Sequence, residues 1–192
     1  MNQSRQPDEI TLTIEQTTAL RQAFKYCPRC RTEMVTRLIY GRERPVCPDE
    51  TCRFVQFIDP KVSAAVMAFQ QEKVLLIQRK VRPAKGSWCF PGGFMEMGET
   101  PQQTAQRECK EESGFQVEIG HLLDVHYYES FRGSGILILY QGQIIGGTAQ
   151  AGDDAKAVGI FAPDELPKNI VFESNLIALA NWTNRENNAN TA

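Results

Sequence analysis

The spacing of apolar residues changes along the chain, and each change marks a predicted element. From residue 58 onwards, apolar runs alternate with short segments rich in glycine and polar residues, a pattern typical of buried strands and their turns. The runs are KVSAAVMAFQ, VLLIQRK, WCF, QVEIGHLLDVHYYESF, GILILYQGQII and AVGIFAP. Two other segments have helical spacing, one between Gly93 and Phe115 and one near the carboxyl end. This order predicts an α/β fold, a mixed sheet sandwiched between helices.

The helical segment near the carboxyl end, NIVFESNLIALANWT, predicts an amphipathic helix that packs on the sheet. Its inward-facing residues are expected to be Ile170, Leu176, Leu179 and Trp182. The polar residues 184–192 follow it and are expected to be disordered. At the other end, residues 1–23 form an extension, in which the spacing of apolar residues in IEQTTALRQAF favours a short helix.

The other helical segment carries start and stop signals. Thr100 can cap a helix, Pro101 suits its first position, and Gln103 stands where the partner of a capping box belongs. Gly114 readily adopts the left-handed conformation with which many helices end. The sequence therefore predicts a helix from about Pro101 to Ser113.

Two closely spaced cysteine pairs lie near the start of the chain, CPRC and CPDETC. Pairs of this kind can converge on one tetrahedral Zn²⁺, here through Cys27, Cys30, Cys47 and Cys52. So small a segment cannot bury enough apolar area to fold alone, and a metal would supply the missing free energy. Disulfides, which need an oxidising compartment, and unpaired thiols are the alternatives. We predict a structural zinc ribbon over residues 24–57, since four cysteines leave no ligand position open for a reactive water.

Composition sets the broad class. The chain has 192 residues, of which 42% are hydrophobic and 23% charged, as in a globular protein with a core. The formal net charge of -2 gives no overall basic field, so we expect no nucleic-acid partner. The sequence contains no signal peptide and no apolar run long enough to cross a membrane. We therefore expect a cytoplasmic protein without a membrane partner.

Three glutamates crowd the end of the predicted helix. At 100° per residue, Glu108, Glu111 and Glu112 fall within roughly one 100° arc. Like charges so close repel each other, and acids in the last turn also face the negative end of the helix dipole. A solvated surface explains this choice poorly, whereas a hard divalent cation such as Mg²⁺ or Mn²⁺ would stabilise it. Arg107 could pair with Glu99 and hold that carboxylate in place.

Residues 93–115 resemble the Nudix box, G-x5-E-x7-R-E-U-x-E-E-x-G-U, at every defined position. U denotes an apolar residue, here Cys109 and Phe115. The surrounding residues, about 58–183, resemble the Nudix α/β/α sandwich. The resemblance implies an enzyme that hydrolyses a nucleoside diphosphate linked to another moiety. It also implies Mg²⁺ or Mn²⁺ held by Glu108, Glu111 and Glu112, with a backbone carbonyl from Gly93.

The same resemblance implies roles for further residues. Arg107 would orient the carboxylates through its pairing with Glu99, and a water would attack one phosphorus of the diphosphate. The general base varies among Nudix enzymes and is either a box glutamate or an acid in a later loop. We predict Asp154 for the later loop, with Asp153 beside it as the alternative; a solvated turn explains this pair equally well.

The zinc ribbon ahead of the box resembles NADH pyrophosphatases, but their SQPWPFP motif is absent after the box. The ribbon, RPAKGSWCFPGGFMEMGE and FAPDELP look more like the Nudix subgroup that includes plant FAD pyrophosphatases, which also accept ADP-ribose. We therefore expect FAD, ADP-ribose or NAD(H) as the substrate, giving AMP and a second phosphorylated product. The alternatives are a nucleoside triphosphate pyrophosphatase, or a non-catalytic Nudix sensor whose ribbon binds nucleic acid. By analogy, a homodimer is expected.

Four residues outside the box are candidates for contacts with substrate. Arg79 and Arg82 could bind phosphates, with a solvated strand end as the alternative. Trp88 could stack on a base, and Tyr128 on adenine or flavin, with packing on the sheet as the alternative for both.

Overall fold

The computed structural model describes residues 23–130 and 133–189. The short helix predicted before the cysteines lies outside these residues. The described residues form two compact units. The smaller unit contains residues 23–61 together with 128–130 and 133–135. The larger unit contains the remaining described residues.

The smaller unit holds a two-stranded antiparallel hairpin, β1 (Val35–Ile39) and β2 (Arg42–Val46). The hairpin lies between the two cysteine pairs. Its connection consists of Tyr40 and Gly41, both with positive φ, which is the geometry of a two-residue hairpin turn.

The larger unit is built around a sheet that follows the predicted apolar runs. Its strands are β3 (Lys61–Gln70), β4 (Lys73–Arg79), β5 (Trp88–Cys89), β6 (Gly92–Phe94), β7 (Phe115–Ser130), β8 (Gly133–Gly147) and β9 (Ala155–Phe161). Among the described strands the main order is β5-β4-β3-β8-β7, with β6 paired to β3 and β9 paired to β4. The pairs of β4 with β3, β5 and β9 are antiparallel, as is the pair of β3 with β6.

The first helix, α1 (Pro101–Ser113), begins and ends at the predicted residues. The Thr100 hydroxyl accepts a hydrogen bond from the Gln103 amide, and the Gln103 side chain accepts one from the Thr100 amide. Gly114, with φ of 78°, donates its N–H to the Lys110 carbonyl. These signals are local in sequence, so the sequence alone could set both ends.

Two helices cover opposite faces of the sheet. On one face, alternate residues of β3 pack with Ala105 and Cys109 of α1, both fully buried. On the other face, the intervening residues of β3 pack with Leu179 of α2 (Glu173–Ala189). This arrangement confirms the predicted mixed sheet between helices. No helix in the described part of the chain is both long and apolar enough to cross a membrane.

The helix α2 differs from its prediction in two ways. Leu176, expected on the packed face, is 42% exposed, whereas Leu179 is 4% exposed. The inward face instead carries Asn175, whose side-chain oxygen accepts a hydrogen bond from the Phe90 amide at 2.9 Å. The helix also continues to Ala189, past residue 184, where we expected the disordered tail to begin. The amphipathic pattern correctly placed Leu179 and Trp182 on the packed face but also placed Leu176 there.

We predict that the same substitution has different effects at these two leucines. Leu179→Ala should lower the free energy of unfolding by about 2–5 kcal/mol, because it leaves a cavity between α2 and the sheet. Leu176→Ala, its matched control, should change it by less than about 1 kcal/mol. Urea denaturation measures both values. Equal losses would contradict the observed rotation of α2.

Candidate active site and cysteine cluster

The last turn of α1 anchors the loop that follows β8. The Gln150 amide donates to the Ser113 carbonyl at 2.9 Å, and the Gly152 amide donates to the Glu112 carbonyl at 3.2 Å. These carbonyls have no partner within the helix, since the last turn leaves its C=O groups unpaired. The two bonds place Asp153 beside the side chains of α1.

Three carboxylates meet there: Glu108, Glu111 and Asp153 each offer an oxygen, and these oxygens lie within 4.8 Å of one another. Glu112, which we expected in the same group, is 4% exposed and accepts a hydrogen bond from the Gly92 amide at 2.9 Å. The cluster therefore contains an acid of the later loop in place of the third box glutamate.

Asp153, rather than Asp154, is the loop acid that joins the cluster. The backbone carbonyl of Asp154 accepts a hydrogen bond from the Lys80 amide at 2.7 Å, and its carboxylate is not part of the group. Asp153 has a φ of 43°, in the left-handed region. The GDD sequence indicated an acid here but could not decide between two neighbours, because the turn's backbone conformation sets where each side chain points.

Arg107 links the carboxylates of the box. Its Nε and Nη2 donate to the two carboxylate oxygens of Glu99 at 2.6 and 3.0 Å. Its Nη1 donates to Glu108 at 2.7 Å and to Glu111 at 3.0 Å. Nη2 also donates to the Phe94 carbonyl at 3.1 Å. One guanidinium thus ties the loop before α1 to the acids on its last two turns.

The electrostatic environment shifts the pKa values of the box glutamates in different directions. Hydrogen bonds from Arg107 and from the Glu96 amide lower the pKa of Glu99 to about 2. Burial raises the pKa of Glu108, although hydrogen bonding to Arg107 works in the opposite direction. Burial also raises the pKa of Glu112 to about 8. Burial therefore disfavours the charged forms of Glu108 and Glu112, and a cation bound nearby would favour them.

The donor atoms fit Mg²⁺ or Mn²⁺. Both ions prefer oxygen ligands at about 2.0–2.2 Å, so oxygens of one coordination shell lie roughly 3–4 Å apart. Gly93 borders the cluster so closely that a β-carbon there would collide with the Glu108 carboxylate. A glycine at this position therefore lets the backbone of the box loop lie against the acids.

In the smaller unit, the four predicted cysteines come together. The Sγ atoms of Cys27 and Cys52 are 3.7 Å apart, and those of Cys30 and Cys47 are 3.4 Å apart. A tetrahedral site with Zn–S bonds of about 2.3 Å requires sulfurs roughly 3.8 Å apart, whereas a disulfide bond is about 2.05 Å long. All four cysteines are free thiols. The donor set therefore fits Zn²⁺.

The candidate substrate residues do not form one group. Arg79 donates its Nε to the Pro83 carbonyl at 2.9 Å, and its guanidinium lies over the Phe172 ring. Arg82 is exposed, and nothing in the described part of the chain pairs with it. Trp88 packs edge-on against Phe161 with ring centroids 5.1 Å apart. Tyr128 belongs to the smaller unit, where its ring fills the space beside Gly135.

A cavity of about 360 Å³ lies on the face of the sheet covered by α2. Phe69 and Trp182, whose rings meet edge-on at 5.4 Å, form part of its wall. None of the carboxylates of the cluster and none of the candidate substrate residues lines it.

The Arg107–Glu99 pair leads us to predict how the stability of the fold changes in acid. The pKa of Glu99 falls from 4.5 to about 2 on folding, so the pair stabilises the fold fully above about pH 5. This contribution disappears as the pH falls towards 2, because the carboxylate must then be protonated in both states. In the presence of a chelator, Glu99→Gln should therefore lower the thermal midpoint at pH 7 and have little effect near pH 2. If the thermal midpoints of the unchanged protein and of Glu99→Gln still differ at pH 2, this assignment is contradicted.

Known proteins resemble the larger unit in sequence. The model of the NUDIX domain matches residues 59–180. An ADP-ribose pyrophosphatase of Methanocaldococcus jannaschii is 40% identical over 114 residues, which cover 58% of this chain and 68% of that protein. The human 8-oxo-dGDP phosphatase NUDT18 is 38% identical over 101 residues, 53% of this chain but only 30% of that protein.

The fold is also similar to a solved structure. A NUDIX hydrolase from Nitrosomonas europaea superimposes with a TM-score of 0.76 at 29% identity, covering 85% of this chain and 93% of that one. Together with the intact box over residues 93–115, the family match over more than half of the sequence establishes the relationship. The chain belongs to the NUDIX hydrolase family.

Proposed function

We propose that this chain hydrolyses the pyrophosphate bond of a nucleoside diphosphate linked to another moiety, with ADP-ribose as the first candidate substrate. FAD and NAD(H) are the other members of the proposed class. The products would be AMP and a second phosphorylated compound, which for ADP-ribose is ribose 5-phosphate. The ADP-ribose pyrophosphatase of Methanocaldococcus jannaschii, 40% identical, supports this choice of substrate.

The observation that carries the proposal is the cluster of Glu108, Glu111 and Asp153 beside the glycine loop. A divalent metal bound there would neutralise the diphosphate and lower the pKa of an attacking water. This grouping of acids has no evident structural benefit, because burial and the neighbouring carboxylates of Glu111 and Asp153 raise the pKa of Glu108 and so oppose its ionisation. Binding a cation is the function that best accounts for them.

Each surrounding residue has a proposed task. Arg107 keeps Glu108 and Glu111 in one orientation, and Glu99 holds Arg107 with two hydrogen bonds. Glu112 accepts the Gly92 N–H and so fixes the glycine loop at the mouth of the site. These contacts would reduce the reorganisation needed when metal and substrate bind.

The same geometry supports a proposal for the general base. We assign the role of the later-loop acid to Asp153, because its carboxylate adjoins those of Glu108 and Glu111 whereas that of Asp154 does not. The assignment replaces Asp154, which the sequence alone favoured.

The smaller unit is proposed to be a structural zinc ribbon over residues 24–57, followed by the hydrolase domain over 58–183. Four thiolates complete a tetrahedral shell and leave no position for a reactive water. Metal analysis of the purified chain should give one zinc ion per chain, and Cys30→Ser should lower that ratio. A chain free of zinc would show that the cysteines have another role.

The direct test is a comparison of substrates with Mg²⁺ and with Mn²⁺. ADP-ribose, FAD, NADH and 8-oxo-dGDP are incubated with the full-length chain, and the products are separated by chromatography. We expect AMP and ribose 5-phosphate from ADP-ribose, and no turnover after chelation. If none of the dinucleotides or ADP-ribose is cleaved, the proposed substrate class is wrong.

A second candidate function is the removal of oxidised nucleotides. The similarity to the 8-oxo-dGDP phosphatase NUDT18 favours it, although the matched region is only 30% of that protein. A nucleoside monophosphate as the nucleoside-containing product, formed from 8-oxo-dGDP or from a triphosphate faster than ADP-ribose is cleaved, would favour this function over the first.

Two neighbouring aspartates provide a matched pair for the proposed base. Asp153→Asn should lower kcat for ADP-ribose at least tenfold more than Asp154→Asn does, because only Asp153 adjoins the cluster. Steady-state kinetics at saturating Mg²⁺ measures both, and circular dichroism checks that both variants are folded. If Asp154→Asn lowers kcat more than Asp153→Asn does, Asp154 is the better candidate for the general base.

The box glutamates make a further prediction. Glu111→Gln should lower kcat by a factor on the order of 100 or more, because it removes one charged oxygen ligand. The fold should remain, since the substitution relieves repulsion with Glu108 while a glutamine oxygen can still accept the hydrogen bond from Arg107. Unchanged turnover would remove the assignment of the metal to this cluster.

A further inference from the structure

The hairpin of the smaller unit gathers its arginines on one face. In the antiparallel register Arg37 lies opposite Arg44, and Ile39 lies opposite Arg42. Directly opposed residues share a face, and so do alternate residues of one strand. Three guanidinium groups therefore project from the same side of a two-stranded sheet.

This arrangement is costly unless an anion lies nearby. Like charges directly opposite each other in a sheet are destabilising. Arg44 is held in place: its guanidinium lies 4.4 Å from the ring centroid of Phe57, and its Nε donates to the Ile39 carbonyl at 3.3 Å. Arg37 and Arg42 are exposed, and among residues 23–130 and 133–189 neither has a hydrogen-bonding or ionic partner.

Two acids of the ribbon, Glu43 and Asp49, are not bonded to these arginines. Glu43 lies opposite Leu38, which places it on the other side of the hairpin. The Asp49 carboxylate accepts hydrogen bonds from the Thr51 amide and hydroxyl and from the Cys52 amide. Residues 23–61 as a whole carry eight basic and five acidic residues, a net charge of +3 in a chain whose total is -2. The overall charge, from which we expected no nucleic-acid partner, therefore hides a local excess of positive charge.

A cavity of about 290 Å³ adjoins the arginine face. Its charged lining consists of two bases, Arg37 and Arg53, and two acids, Asp49 and Glu50. The cavity therefore has no net positive charge, and the exposed arginines of the hairpin, not the cavity, form the basic surface.

The turn of the hairpin presents an aromatic ring to solvent. Tyr40 is 86% exposed although its φ is 50°, a conformation that bulky side chains rarely adopt. An asparagine or glycine would suit this turn better. Its exposed ring buries little surface to offset that cost. Leu38, on the strand before the turn, is 73% exposed.

We propose that the arginine face of the ribbon, Arg37, Arg42 and Arg44 with Tyr40 at its tip, binds single-stranded nucleic acid. The arginines contact phosphates, and a base stacks on Tyr40. An acidic peptide would satisfy the arginines but would have no ring for Tyr40, and a duplex keeps its base faces inside the helix. This interaction goes beyond the proposed hydrolysis and does not depend on it.

The test is fluorescence anisotropy of a fluorescein-labelled deoxythymidine 12-mer titrated with the zinc-loaded full-length chain. Three phosphate contacts would give a salt slope of about −2, so the affinity should fall roughly twentyfold between 50 and 200 mM salt. The double variant Arg37→Ala, Arg42→Ala should reduce the slope to about −0.7 and weaken binding at least tenfold at 50 mM salt. No binding of the 12-mer at 50 mM salt would overturn the proposal.

Two further variants separate this surface from general attraction to charge. Tyr40→Asn removes the ring but suits the turn, and it should weaken binding roughly fivefold or more without loss of zinc. Lys156→Ala with Lys168→Ala removes two exposed cations from the larger unit and should leave binding unchanged. An equal loss in that control, or displacement of the 12-mer by polyglutamate as readily as by unlabelled 12-mer, would contradict the assignment.

Discussion

The proposed active site depends on one guanidinium group. Arg107 bonds to Glu99 in the loop before α1 and to Glu108 and Glu111 within it, and it also bonds to the Phe94 carbonyl of the box loop. Without this cation the acids would repel one another and the loop would lose its attachment to the helix. The fixed loop in turn requires glycine at position 93, because any β-carbon there would meet the Glu108 carboxylate.

The two units use charge in different ways. In the larger unit, acids of one helix and one loop converge; burial raises the pKa of Glu108, and Arg107 lowers that of Glu99. In the smaller unit, the strand register collects arginines on one face, while Glu43 lies on the other side and Asp49 bonds to backbone amides. In both units a group of like charges lacks sufficient compensation within the described residues. A cation in the first case and a polyanion in the second would supply it.

Several features were predictable because their causes are local. The ends of α1 follow from Thr100, Pro101, Gln103 and Gly114, each of which acts on the nearest turn of backbone. The spacing of the cysteine pairs fixes two turns that can share a metal, and the structure brings the four sulfurs together. The strands follow from apolar runs whose length and alternation need no knowledge of their neighbours. The exposure of Leu176 was not predictable, since Leu176 and Leu179 are equally apolar.

The sequence by itself determined the family, the fold class, the helix that carries the acids and the grouping of the four cysteines. Each of these depends on residues that lie close together in the chain. Only the tertiary structure decided that Asp153 joins Glu108 and Glu111 while Glu112 turns to the Gly92 amide. It also decided which face of the ribbon is positively charged. These outcomes depend on where a turn or a strand register points each side chain, and backbone contacts between segments distant in sequence set that direction.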